Sequence, residues 1–239
     1  MKPILFGIIC CLLFWGCKGD PGPASPRLSG NLMGSVMIVD SLNRSIKDQS
    51  GVRVLLYPGI DSTISLSDGS WQLNNVPSGI YDVTYAKSGF YTVKAFQFQF
   101  VGGGNYSFYP VRMIQFWSGS VTRLDVIDTS NIIRFQGTIN ASFARGRNVY
   151  IFLSKSQFKN SVPIIGSYII YVTMGTGQNF SYDLSRDYLG NVAVEGDILY
   201  AVAVLGGNGN PGINFNSNGQ SEFDTEGVPL SNTVSFVVP

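Results

Sequence analysis

The chain of 239 residues contains no histidine. That excludes Ser-His-Asp and Cys-His hydrolases, HExxH peptidases and histidine-ligated zinc or copper. Cysteine is almost as scarce: Cys10, Cys11 and Cys17 are the whole complement, and all three precede Lys18. The remainder therefore has no thiol for a disulfide, a CxxC redox pair or a cysteine-ligated metal. Charge is thin as well. Charged residues make up 13%, with 16 basic against 15 acidic, and no basic run offers nucleic acid a footprint. No cofactor is expected, and neither is a nucleic-acid partner. Carboxylate-pair chemistry stays formally open, because aspartate and glutamate are present.

What is there begins with an apolar run. Met1-Lys2 gives a positive start, and Ile4 to Trp15 is almost wholly apolar. Its length suits the core of a signal peptide and is too short to span a bilayer. Gly16-Cys17 follows directly, without an Ala-x-Ala pattern. This resembles a bacterial lipoprotein lipobox, a small residue before the cysteine that is acylated and becomes the new N-terminus. Phe14 and Trp15 depart from that pattern, which usually has smaller or aliphatic residues there. The alternative is an ordinary secretory leader cut near Ala24. Under the first reading residues 1–16 are the leader and Cys17 carries several acyl chains. Each buried CH2 contributes about 0.8 kcal/mol, so several chains anchor where one would not.

Residues 17–26 then read as a tether. Lys18 to Pro26 alternates Gly and Pro with nothing apolar to pack, and prolines keep it extended. The start "CKGDPGP" is similar to that of many lipoproteins of Bacteroidetes-type bacteria. The resemblance implies an outer-membrane lipoprotein of the cell envelope, with either the periplasmic or the surface-facing leaflet open.

The rest reads as short strands between Gly, Pro, Asn and Ser turns, which predicts an all-β chain of two consecutive antiparallel sandwiches, at 27–117 and 118–239. In the first, Gly34 to Val39, Val52 to Tyr57, Trp71 to Leu73 and Tyr81 to Tyr85 read as strands. Tyr81, Val83 and Tyr85 share one face. Phe96-Gln97-Phe98-Gln99-Phe100 alternates strictly, and Gly102-Gly103-Gly104 turns into a strand over Tyr106 to Phe116.

The succession Gly34-x-Val36, Gly51-Val52-x-Val54-x-Leu56, Ser67-Asp68-Gly69-x-Trp71-x-Leu73, Val76-Pro77-x-Gly79-x-Tyr81-x-Val83 and Lys87-Ser88-Gly89-Phe90 resembles the carboxypeptidase regulatory-like domains. Those are transthyretin-like sandwiches that accompany enzymes, transporters or adhesins and carry no catalytic residues. Each element also has its own reason. Asp68-Gly69 supplies a positive-φ turn. Trp71 and Leu73 fill a core. Tyr81 enters its strand with the hydroxyl near the Pro77 turn, as in a tyrosine corner.

In the second half Val121 to Ile127, Ile133 to Ile139, Val149 to Leu153, Tyr168 to Met174, Phe180 to Leu184, Ile198 to Leu205 and Thr233 to Val238 read as seven strands. Ile198 to Leu205 is apolar on both faces, as a central strand would be. Val194 to Val202 loosely resembles the fibronectin type III entry into a strand at Tyr200, with one residue too many. The class is held at Ig-like sandwich.

Gly206 to Gly227 reads as one long Gly- and Asn-rich loop, either functional or merely mobile. Within it Phe215 and Phe223 are candidates to contact a glycan or a protein. Asn214, Asn216 and Asn218, with Glu222 downstream, echo the first half of a calcium loop. Asn stands for Asp at all three positions, and Thr225 occupies the place of the twelfth-position Glu. Asp40-Ser41-Leu42 and Asp61-Ser62-Thr63 resemble an O-glycosylation tripeptide and are expected in loops.

Three functions follow. The first is a non-catalytic, membrane-anchored binding or adhesion module with an unknown glycan or protein partner. The second is an accessory subunit of an outer-membrane uptake or fimbria-like complex that offers a sheet edge. The third, ranked last, is a carboxylate-pair glycosidase using Asp183, Asp187, Glu195 and Asp197, residues that read equally as solvated turns.

Overall fold

A computed structural model describes residues 27–58, 61–129, 132–141, 147–159, 163–165, 167–174, 177–190, 192–207, 212–216 and 218–238. The leader, Cys17 and the tether lie outside them. The chain is all-β. Among the described residues no helix is long and apolar enough to cross a membrane.

The first eight strands make two facing sheets. They are β1 (Ser29–Val39), β2 (Arg53–Tyr57), β3 (Asp61–Ile64), β4 (Ser70–Pro77), β5 (Gly79–Ala86), β6 (Val93–Phe100), β7 (Asn105–Ser107) and β8 (Val111–Ile114). One sheet runs β3-β2-β5-β6. The other runs β4-β1-β7, with β8 continuing alongside β1. Leu32, Val54, Trp71, Leu73, Val83 and Tyr85 are among the residues buried between them. Alternation put Trp71 and Leu73 inside, and Tyr81, Val83 and Tyr85 on one buried face. The Tyr81 hydroxyl donates to the Pro77 carbonyl at 2.8 Å, so the expected tyrosine corner is formed. Gly69 has φ +86°, and a Cβ there would lie 2.2 Å from the Val36 carbonyl oxygen. Only glycine fits that turn.

Several features differ from the sequence reading, and the stretch read as one strand over Tyr106 to Phe116 is two, β7 and β8. β7 and β8 pair with β1 in parallel, Asn31 opposite Asn105 and Val36 opposite Val111. The antiparallel rule holds for the other ladders of this half, but the chain leaves β6, crosses to the second sheet and returns in the direction of β1. The strict alternation over Phe96 to Phe100 is also broken. Gln97 has φ +51°, and the β5–β6 register slips between Tyr81 and Val83. The Gln97 backbone N–H donates to Asp82 Oδ1 at 2.8 Å. This bulge puts Val93 and Ala95 on the same core face as Phe98 and Phe100, and leaves Phe96 off it.

The second half contains β9 (Val121–Asp128), β10 (Ile132–Ile139), β11 (Arg147–Ser154), β12 (Ile164–Ile165), β13 (Tyr168–Thr173), β14 (Asn179–Ser185), the one-turn helix α1 (Arg186–Leu189), β15 (Ile198–Gly207), β16 (Ile213–Phe215), β17 (Ser221–Phe223) and β18 (Val234–Val237). The sheet β14-β10-β9 faces the sheet β13-β11-β15-β18, and β12-β17-β16 forms a third, small sheet. All ladders here are antiparallel.

The central position of β15 explains its composition. Leu199, Ala201, Ala203 and Leu205 enter the core of the second sandwich, while Val202 and Val204 enter another apolar cluster on the opposite face. β11 divides the same way, with Val149, Ile151 and Leu153 on one side and Tyr150 and Phe152 on the other. A strand buried on both faces must be apolar at every position.

That other cluster joins the halves. Tyr91, Ile114 and Phe116 meet Tyr150, Phe152 and Phe223 in it. The Tyr91 hydroxyl donates to the Leu205 carbonyl at 3.3 Å, and the Arg147 guanidinium lies 4.3 Å from the Trp117 ring centre.

Candidate functional site

The stretch read as one long loop contains a hairpin; residues 208–211 and 217 lie outside the described ones. In β16 and β17, Ile213 stands opposite Phe223, Asn214 opposite Glu222 and Phe215 opposite Ser221. Its turn is closed by Asn216, whose Oδ1 accepts from the backbone N–H groups of Asn218 and Gln220, each at 3.0 Å.

Strand alternation sends the two sides of this hairpin to different places. Ile213 and Phe223 pack onto the sheet of the second sandwich. Phe223 is 1% exposed, with its ring 4.8 Å from that of Phe152 and 6.2 Å from that of Tyr91. As a ligand contact Phe223 is therefore corrected: it stands at the base of the hairpin, opposite Ile213 and Ile164, where its side chain is sealed against Phe152 and Tyr91.

Asn214 and Glu222 face the first sandwich instead. The Lys94 backbone N–H donates to Asn214 Oδ1 at 3.0 Å, and Asn214 Nδ2 donates to the carbonyls of Thr92 and Gly212. The Lys94 ammonium is ion-paired with the Glu222 carboxylate, both side chains being mostly buried. The calcium pattern is thus occupied by a protein cation. Asn214 Oδ1 and Glu222 are engaged by Lys94, and Asn216 Oδ1 closes its own turn. Among the described residues no cluster of three or more acidic, His or Cys side chains is arranged to hold a metal ion.

Phe215 lies further out on the Ile213 face and is 68% exposed. Beside it runs Tyr171, 58% exposed, on the edge strand β13. The two line a groove of about 450 Å3 with Tyr168, Ser167, Gln220 and Ser221. The Tyr171 ring is held edge-on to Tyr150 at 5.2 Å. Ser221 Oγ donates to the Ser167 carbonyl at 3.1 Å, and the buried Ser167 hydroxyl has no partner among the described residues. The groove thus combines aromatic faces with hydroxyl and amide groups and contains no charged side chain. Tyr171 was legible in principle, because Ile170 and Val172 must face inward and so turn it outward. Lys94 carried no local signal at all.

Two of the four candidate carboxylates, Asp183 and Asp197, are engaged in ion pairs. Arg134 holds Asp183 bidentately, at 2.6 and 2.7 Å, and keeps its carboxyl below the ordinary aspartate range. Lys155 and the Val194 backbone N–H do the same for Asp197. A glycosidase acid needs the opposite shift. Asp187 is in the first turn of α1, and Glu195 is in an exposed turn before β15. Of the glycosylation tripeptides, Asp40-Ser41-Leu42 is in the turn after β1, where Asp40 Oδ1 accepts from the Leu42 N–H at 2.9 Å. Asp61-Ser62-Thr63 forms part of the exposed edge strand β3, not a loop.

No family model matches the chain, and no curated protein matches it in sequence. Among solved structures it is similar to a DUF3823 family protein from Bacteroides ovatus, at 14% identity over 88% of this chain and 100% of that one, with a TM-score of 0.33. A Bacteroides uniformis protein provisionally described as carbohydrate-binding matches at 13% identity over 88% and 99%, with a TM-score of 0.31. A type II cohesin-X-dockerin complex from Acetivibrio cellulolyticus matches at 14% identity with a TM-score of 0.32, over 35% of this chain and only 56% of that one. Scores this low do not establish a shared topology.

Proposed function

We propose that this chain is a non-catalytic binding module of the bacterial cell envelope, and that the groove between Phe215 and Tyr171 takes a glycan. The observation that carries this reading is the pair of exposed aromatic rings on one uncharged groove. A sugar presents C–H groups on one face and hydroxyls around its rim. Rings meet the first, while Gln220 and Ser221 meet the second. Single exposed rings are ordinary; what favours a ligand here is two of them side by side on one groove with hydroxyl and amide groups.

Anchoring through Cys17 belongs to the same proposal and rests on the Gly16-Cys17 junction after the apolar leader. The kinship of the first sandwich with carboxypeptidase regulatory-like domains is supported by the Tyr81 corner, the Gly69 turn and the buried Trp71 and Leu73. The glycan reading is tested by array binding of the wild type against Phe215→Ala and Tyr171→Ala. Anchoring is tested by mass spectrometry of the mature N-terminus.

A further inference from the structure

The first sandwich carries a larger cleft, of about 670 Å3, away from the Phe215 groove. It lies over the sheet β4-β1-β7 and is flanked by the chain from Thr63 to Leu66 and by Phe108 and Pro110. Its floor is a grid of neutral groups set by the strand register. Ser35 stands opposite Ser70, and Met33 stands between Gln72 and Ser107. No lysine, arginine, aspartate or glutamate lines it. The outer face of β9-β10-β14 shows the contrast: its groove includes Arg123 and Asp125, ion-paired at 2.7 Å.

Ile64 and Leu66 border the cleft and are 61% and 63% exposed. Trp71 also lines it. Gly34 stands opposite Trp71, and a Cβ at Gly34 would come within 2.7 Å of the indole ring. The bare backbone there lets the indole lie close beneath the cleft. Its buried N–H has no partner among the described residues.

We infer that this cleft is a second binding site, for a neutral oligosaccharide. The volume is that of a small-molecule site, roughly 300–1,000 Å3. Hydroxyl and amide side chains both donate and accept, as sugar hydroxyls require, and the exposed aliphatic rim matches the C–H face of a pyranose. An acidic ligand would meet no counter-charge. The inference stands on a different sandwich from the Phe215 groove and does not depend on it.

The test is titration of the isotope-labelled full chain with neutral glucose hexasaccharides of α and β linkage, with an oligogalacturonate as the acidic control, read at the tryptophan indole resonances. The Trp71 resonance moves with neutral sugar, while that of Trp117 stays. Gln72→Ala weakens the titration about three- to tenfold, and Leu66→Asp, at an exposed position that leaves folding intact, weakens it at least tenfold. Phe215→Ala leaves the Trp71 shift unchanged. A Trp71 resonance that ignores every neutral sugar, that responds equally to the acidic one, or that is indifferent to Leu66→Asp overturns the second site. Array binding insensitive to Phe215→Ala, with the Trp71 shift intact, overturns the Phe215 groove alone.

Discussion

Lys94 and Asn214 are 120 residues apart in sequence, yet the Lys94 backbone N–H donates to the Asn214 side-chain oxygen at 3.0 Å. The Lys94 ammonium meets Glu222 on the neighbouring strand of the same hairpin. The first sandwich therefore holds the hairpin that presents Phe215.

Removing this clamp is expected to destabilise the whole chain. Asn214→Ala leaves the Lys94 N–H and the Thr92 carbonyl without their partner, at about 2 kcal/mol in urea unfolding. Lys94→Met leaves a mostly buried carboxylate uncompensated, at about 3 kcal/mol, and adding Glu222→Met restores most of that loss. Additive losses in the double variant would show that the two side chains are not coupled.

The two phenylalanines of the hairpin separate stability from binding. Phe223→Ala empties a fully buried position and lowers stability by about 3–5 kcal/mol. Phe215→Ala shifts it by no more than about 0.5 kcal/mol while glycan binding falls. Thermal unfolding of both variants checks the contrast.

Tyr81→Phe deletes only the hydroxyl that reaches the Pro77 carbonyl. A loss of about 1 kcal/mol in denaturant midpoint is expected, with an unchanged unfolding slope. A neutral result would mean that the corner is shaped by the ring alone.

With no histidine, the chain lacks the one side chain whose ordinary titration falls between about pH 5 and 8. Stability is expected to be flat there. Asp183 is held below the ordinary aspartate value of 3.8, chiefly by its hydrogen bonds from Arg134. Asp197 is lowered chiefly by its hydrogen bond from Lys155. A depressed carboxylate stabilises the fold above its unfolded value, and that contribution is lost as pH falls through the folded one. Unfolding midpoints should therefore drop below about pH 4, and Asp183→Asn should make that acid limb shallower.

Local pattern carried much of this architecture. The Asp68-Gly69 turn, the inward row Tyr81, Val83 and Tyr85, and the doubly buried β15 each follow from spacing alone. The misread features depend on distant pairing. Gln97 reads as a regular alternating position until the register across β5 forces an extra residue. The parallel course of β7 and β8 is decided by where the chain crosses between sheets. β16 and β17 have three residues each, too few for a period to show, so Phe215 and Phe223 look alike in sequence. They share one face of the hairpin, but Phe223 stands at its base, opposite Ile213 and Ile164, while Phe215 stands towards its turn.

The exposed rings at 215 and 171 are proposed to bind sugar. Isothermal titration of the wild type, Phe215→Ala and Tyr171→Ala with a glycan selected by array addresses this most directly. At least a tenfold loss of affinity is expected in each variant, about 1.4 kcal/mol, with stability shifted by no more than about 0.5 kcal/mol in Phe215→Ala and lowered by about 1 kcal/mol in Tyr171→Ala, which loses its contact with Tyr150. Equal affinity in all three proteins would contradict the proposal.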